Sequence, residues 1–182
     1  MSYIDAVDKK QRWGNIMKTK SGKPMTTAAL AAAKIRKELK QHGISAKVRS
    51  SHFSMGDAVD VTIYDQLPAA RKKIEAYCDQ YQYGHFNGMQ DLYEYSNNRT
   101  DIPQVKYVSV ACEYSDSLKQ AAYEATRAYY PGFDEAPESY ADAHNFRNER
   151  FGEYADTMVY QVLTGYRNIG FWKQYKQRVL VQ

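Results

Sequence analysis

At 182 residues, with 43% hydrophobic and 25% charged side chains, the chain is long enough to bury a core and too apolar to be disordered, yet too short for two large domains. The net charge of +4 is unevenly spread: twelve basic residues face three acidic ones in the first fifty positions, and thirteen face eighteen in the rest. No apolar run approaches the length that crosses a bilayer and the N-terminus has no apolar signal core, so a cytoplasmic protein with no membrane partner is expected.

In chain order, residues 1–25 come first and form a basic arm in which Lys9, Lys10, Arg12, Lys18, Lys20 and Lys23 interleave with Trp13, the pairing of charge and ring that single-strand binders use. An arm anchored by Trp13 and Ile16 explains the same residues. From Thr26, Ala28, Ala31, Ala32, Ile35 and Leu39 recur at helical spacing and predict a buried stripe ending at Gly43, with Lys34, Lys37 and Lys40 off that stripe. Alternation over 45–51 and 58–64 predicts a hairpin turning between Ser54 and Met55, which sets Val48 opposite Val61 and Arg49 opposite Asp60. That register puts Ala46, Val48, Val59 and Ile63 on a dry face, Lys47, Arg49, Asp60 and Thr62 on a wet one, and an ion pair between Arg49 and Asp60. Asp65 is expected to cap a following helix, with Pro68 in its first turn and Ala70, Ile74, Tyr77, Cys78 and Tyr81 buried. Arg71, Lys72 and Lys73 crowd the start of this helix, where its dipole favours acids, and read as a solvated face or an anion or partner contact.

The succession of an Ala-rich helix carrying IRKELK, the VRSS strand, MGDAVDVTIYD, a helix of the ARKKIEAY kind and then FNGMQD resembles the large polyvalent-protein-associated domains, over residues 26–98. The resemblance implies a small α+β module of phage or conjugative-element proteins, working in a bacterial host cell alongside DNA handling or the blunting of host defence. It carries no catalytic signature.

Beyond it, QVKYVSVACEYS predicts a third strand with Val108, Val110 and Cys112 facing the core, and DSLKQAAYEATRAYY a helix with Leu118, Ala121, Ala122, Ala125 and Tyr129 inward. Pro131 and Gly132 end that helix, and an acidic linker follows. Phe151, Tyr154, Ala155, Met158, Val159 and Val162 mark a last helical face, after which Tyr166, Arg167, Trp172 and Tyr175, with Lys173, Lys176 and Arg178, form an aromatic and basic cluster suited to an interface or to docking on the core. The expected fold is α+β: a small antiparallel sheet of three or more strands with helices on one face, in a module of 1–130 bearing the basic arm, and an acidic linker with a helical C-terminal subdomain in 131–182.

No phosphate-loop, dinucleotide, nucleophile-elbow or zincin motif is present, and His42, His52, His85 and His144 lack a second ligand at metal spacing. No cofactor, metal or catalytic residue is assigned. His52 and Asp57 beside Ser50, Ser51 and Ser54 hold the residue types of nucleophilic chemistry, but a polar turn explains them equally. Cys78 and Cys112 read as separate buried thiols without a disulfide. With 17 tyrosines and split charge, the expectation is non-catalytic binding to a host protein complex, of the anti-CRISPR or anti-restriction kind. The alternative is DNA or RNA binding by the basic N-terminal third. Candidate contact residues are Lys34, Lys37, Lys40, Arg71, Lys72, Tyr166, Arg167, Trp172 and Tyr175; the oligomeric state is left open.

Overall fold

The computed structural model describes residues 22, 24–97 and 99–175. The basic arm through Lys23, with Trp13 and Ile16, and Lys176 and Arg178 of the C-terminal cluster lie outside the described residues. The described residues form two compact units: one includes those up to Ile63 and those in Lys73–Ala111, the other Tyr64–Lys72 and those from Cys112.

The first unit is built on α1 (Thr27–Gln41), β1 (Ala46–Phe53) and β2 (Gly56–Tyr64). Thr26 caps α1, its Oγ1 accepting the Ala29 amide at 3.2 Å. The expected stripe is buried together with Leu30, and Gly43 at φ +65° lets the chain reverse toward β1. Arg36 donates to the Val48 carbonyl at 2.6 Å, pinning the helix to the strand beneath it. The hairpin has the expected register, Val48 facing Val61 and Arg49 facing Asp60, so Val48, Val59, Val61 and Ile63 are all buried.

β5 (Tyr107–Glu113) completes the order β1-β2-β5. The α+β class is as expected, and the sheet is mixed: Asp57 accepts from the Lys106 amide at 3.0 Å and Asp60 from Ser109 at 2.7 Å, so positions rise together along β2 and β5. A parallel return needs a long crossover, and the chain supplies one in α2 (Pro68–Asp79) and the hairpin of β3 (His85–Asn87) and β4 (Leu92–Glu94). Ala70, Ile74 and Cys78 of α2 are buried as expected. Asp65, at φ +51°, does not cap α2; its carboxylate accepts the Ser115 amide at 2.7 Å instead.

The second unit gathers α3 (Asp116–Tyr129), the one-turn α4 (Tyr140–Ala143), β6 (Arg147–Asn148), β7 (Glu153–Tyr154), α5 (Ala155–Leu163) and a 3-10 turn, Phe171–Gln174. Leu118, Ala122, Tyr123, Phe133, Ala136, Met158, Val159, Val162 and Phe171 share its core. The inward face of α3 is rotated from the expected one: Tyr123 and Thr126 are fully buried and Tyr129 is exposed. The cause is hydrogen bonding, because the Tyr123 hydroxyl donates to the Pro137 carbonyl at 2.6 Å and Thr126 Oγ1 to the Ala122 carbonyl at 2.7 Å. The acidic stretch is thereby tied to α3, with Gln120 bonded to both the Glu138 carbonyl and the Tyr140 amide. Phe151 and Tyr154, expected inside, are exposed because they precede α5.

Candidate interaction surface

In the first unit, one sheet face receives α1, and the other, open as far as the described residues go, carries mostly exposed side chains. Alternation brings Lys47, Arg49, Ser51 and Phe53 of β1, Ala58, Asp60 and Thr62 of β2, and Tyr107, Ser109, Ala111 and, at the strand's end, Glu113 of β5 to this face. Its side chains are small, polar, charged or aromatic, with no Leu, Ile or Val among them.

One end of this face carries a connected set of rings. Phe53 and Tyr107 stack with centroids 6.1 Å apart and planes 20° from parallel. Tyr93 meets Tyr107 edge-on at 5.9 Å and donates its hydroxyl to the Lys106 carbonyl at 2.6 Å. Tyr83 and Tyr95 lie nearly parallel at 5.6 Å, each edge-on to Tyr93. The Lys106 ammonium stands 5.0 Å from the Tyr93 centroid and 5.3 Å from that of Tyr107, and donates to the Met55 carbonyl at 2.9 Å. Tyr95 is 63% exposed and Phe53 41%, so the cluster presents free ring surface. Burial, ahead of the nearby Asp57 carboxylate, pushes the Tyr83 phenol up to about 12, and burial drives Tyr93 further the same way. Both phenols are therefore neutral at physiological pH.

Lys47 and Arg49 take part in no ion pair among the described residues. Although Arg49 faces Asp60 in the register, the expected ion pair is not made, because the Asp60 carboxylate accepts from Ser109.

A second set of rings belongs to the second unit. Tyr130 packs against Tyr129 at 4.9 Å and Phe151 at 5.3 Å, and the Arg167 guanidinium lies 5.1 Å from the Tyr130 centroid. Arg167 also bonds Glu153 and Gln161. Tyr129 is 60% exposed, and Tyr166, next to Arg167 in the chain, is 83% exposed. Of the other candidates, Trp172 donates its indole N–H to the Val162 carbonyl at 3.2 Å, and its ring packs with Phe171 and Tyr175. Lys34, Lys37, Lys40 and Lys72 are exposed and Arg71 is half-buried.

A cleft of about 580 Å³ in the second unit is lined by Asp116, Gln120, Ser139, Tyr140, Ala141, His144 and Asp156. Its serine, histidine and carboxylates are residue types of acyl-transfer chemistry, but the His144 ring nitrogens contact the Ala141 carbonyl and the Asn145 amide, each at 2.8 Å. The His52 and Asp57 pair face each other in the hairpin, where the Asp57 carboxylate holds the Lys106 amide. Among the described residues, no group of three histidine, cysteine or carboxylate side chains could hold a metal ion, and no helix is long and apolar enough to cross a membrane.

Sequence reading did not single out Phe53, Tyr83, Tyr93, Tyr95, Lys106 or Tyr107. The outward parity of Phe53 and Tyr107 was readable, but their meeting depends on β5 pairing with β2 across the intervening helix and hairpin.

These features define a class of protein, an α+β module that offers exposed rings in each of its two units. The family model of large polyvalent protein associated domain 29 matches residues 26–122, and the chain belongs to that family. The match runs past residue 98 through β5 and into α3, and it links the chain to the polyvalent proteins of phages and mobile elements. No curated protein and no solved structure matches the chain.

Proposed function

We propose that the chain is a mobile-element accessory protein that acts by non-catalytic binding to a host protein complex, one that handles nucleic acid and serves defence. The observation that carries this reading is the cluster of Tyr129, Tyr130, Phe151 and Arg167 in the second unit, with the exposed Tyr166 next to Arg167 in the chain. Tyrosine and arginine are the side chains on which interface energy concentrates, since they cover much area with few torsions to freeze. The same unit bears Asp134, Glu135, Glu138, Asp142 and Glu149, all exposed, a charge that complements the basic surfaces of nucleic-acid-handling proteins. Lys34, Lys37, Lys40 and Lys72 of the exposed helix faces, with the half-buried Arg71, would meet an acidic region of a partner.

Affinity capture from host lysate tests this with the wild-type chain and a Tyr129→Ala, Tyr166→Ala double variant. A stoichiometric host complex retained by the former and lost by the latter is expected. Recovery of no stoichiometric partner by the wild type removes the reading.

A further inference from the structure

We infer that the open sheet face of the first unit is a binding site for single-stranded nucleic acid, with bases stacking on Phe53, Tyr107 and Tyr95 and phosphates meeting Lys47 and Arg49. It goes beyond the protein-binding reading and rests on different residues.

Three observations select this occupant. The ring cluster is pre-built: Phe53 and Tyr107 are fixed by stacking, Tyr93 by its hydroxyl bond to the Lys106 carbonyl, and Lys106 by its bond to the Met55 carbonyl. Little ordering remains to be done when a base arrives, and planar bases stack on such rings whatever their identity. Next, two cations extend the face along β1: Lys47 and Arg49 share it with Phe53 and lack ion-pair partners among the described residues. Asp60, the acid facing Arg49, is already bonded to Ser109. Asp60 keeps its charge and Glu113 lies on β5, but Lys47 and Arg49 line the β1 edge of the sheet, so phosphates running along that edge meet the two cations first.

Finally, Ser51 and Ala58 lie between the rings and the cations, and Thr62, Ser109 and Ala111 lie beside the cations on the neighbouring strands. A docking helix or second sheet wants Leu, Ile or Val to interdigitate with, and this face has none; a flat, polar, ring-edged surface suits a strand of nucleotides. Neutral phenols at Tyr83 and Tyr93, kept so by burial, add no repulsion toward phosphate.

The test is a fluorescence anisotropy titration of the full-length chain with labelled oligothymidylate, oligouridylate and a duplex of equal length, over a salt series. Both single strands are expected to bind more tightly than the duplex. Phe53→Ala with Tyr107→Ala should weaken single-strand binding by about tenfold or more, while Tyr107→Phe, which keeps the ring, should not. Arg49→Gln should weaken binding and lower the salt slope by about 0.7, the share of one phosphate on a single strand. Because Arg49 has no ion-pair partner among the described residues and glutamine sets no like charge opposite Asp60, this variant should melt with the wild type, so a fold defect would be visible as such.

No binding of either single strand, binding indifferent to the ring substitutions, or equal affinity for the duplex would each overturn the proposal. A dimer in sedimentation that Phe53→Ala dissolves, without oligonucleotide binding, would assign the face to a second copy instead. Failure here leaves the lysate capture standing, and a failed capture leaves these titrations intact, since each uses variants in a different unit.

Discussion

Arg49 and Asp60 face each other across the β1-β2 hairpin without forming an ion pair, and Asp60 turns instead to Ser109 on β5, whose hydroxyl donates to it at 2.7 Å. An exposed cross-strand ion pair is worth at most about 1 kcal/mol, and here a short hydroxyl bond to the third strand takes its place. The consequence is measurable by urea denaturation. Ser109→Ala should cost about 0.5 to 1 kcal/mol, since it removes the link between β2 and β5 at a solvated position. Arg49→Ala should stay within about 0.5 kcal/mol of the wild type. The opposite ranking would mean that Arg49 does pair with Asp60.

Arg167 presents the reverse case, a cation among the candidate contact residues that is engaged within its own unit. Its side chain is 19% exposed, bonds Glu153 and Gln161, and lies against the Tyr130 ring. Arg167→Ala should destabilise the chain by about 2 kcal/mol, because it strips a partly buried carboxylate of its partner. Arg167→Lys should recover less than half of that, as an ammonium cannot serve the acid and the amide together from one plane. Tyr166→Ala, at an 83% exposed position, should be neutral to stability and act on binding alone. Chemical denaturation of the three variants separates the roles; equal losses for Arg167→Ala and Tyr166→Ala would contradict them.

What could be read from the sequence follows the range of the interaction that decides it. The α1 stripe, the start of α2 at Pro68 and the hairpin register through Val48 and Val61 depend on residues within about two turns or one hairpin of each other, and local periodicity reveals them. The buried face of α3 was misjudged because nothing near Tyr123 in sequence announces that its hydroxyl will find the Pro137 carbonyl. Asp65 resembled a helix cap, yet its partner is the Ser115 amide, fifty positions along. The ring cluster failed for the same reason: Phe53, Tyr93 and Tyr107 come from three separate strands, and each alone is an ordinary strand aromatic.

Gly84 shows how closely the aromatic end of the first unit is built. A Cβ at this buried position would lie 2.1 Å from the Glu94 carbonyl oxygen and 2.5 Å from Tyr93 Cε1. Backbone on β4 would have to move, and with it the ring that Tyr93 holds against Tyr107. Gly84→Ala should therefore cost about 1 to 3 kcal/mol, the usual penalty of overpacking, and should also weaken oligonucleotide binding without touching a ligand. Gly88→Ala, where the nearest atom is 4.0 Å away, is the control and should change neither. A melting temperature for Gly84→Ala equal to that of the control would refute the close packing.

The two thiols should differ in reactivity and in their effect at alkaline pH. Cys78 is fully buried, and that burial, ahead of the nearby Asp79 and Glu75 carboxylates, pushes its thiol from an ordinary 9.0 up to about 12. Cys112 is half-buried and is raised in the same direction, first by burial. A thiol reagent at neutral pH should thus modify Cys112 first, and Cys78 only as the chain opens. For stability the sign follows from the folded value being the higher one. Keeping the Cys78 proton stabilises the fold in full below about pH 9, and this contribution is lost as the pH climbs through about 12. Buried phenols such as Tyr83, raised from 10.0 to about 12, begin to add to the same loss only above pH 10. Replacing Cys78 with Ala should therefore flatten the stability profile specifically between about pH 9 and 10, whatever it costs at neutral pH through the small cavity it leaves. Denaturant midpoints measured across that interval decide the point: parallel profiles for the wild type and the variant would show that the Cys78 proton is not linked to folding.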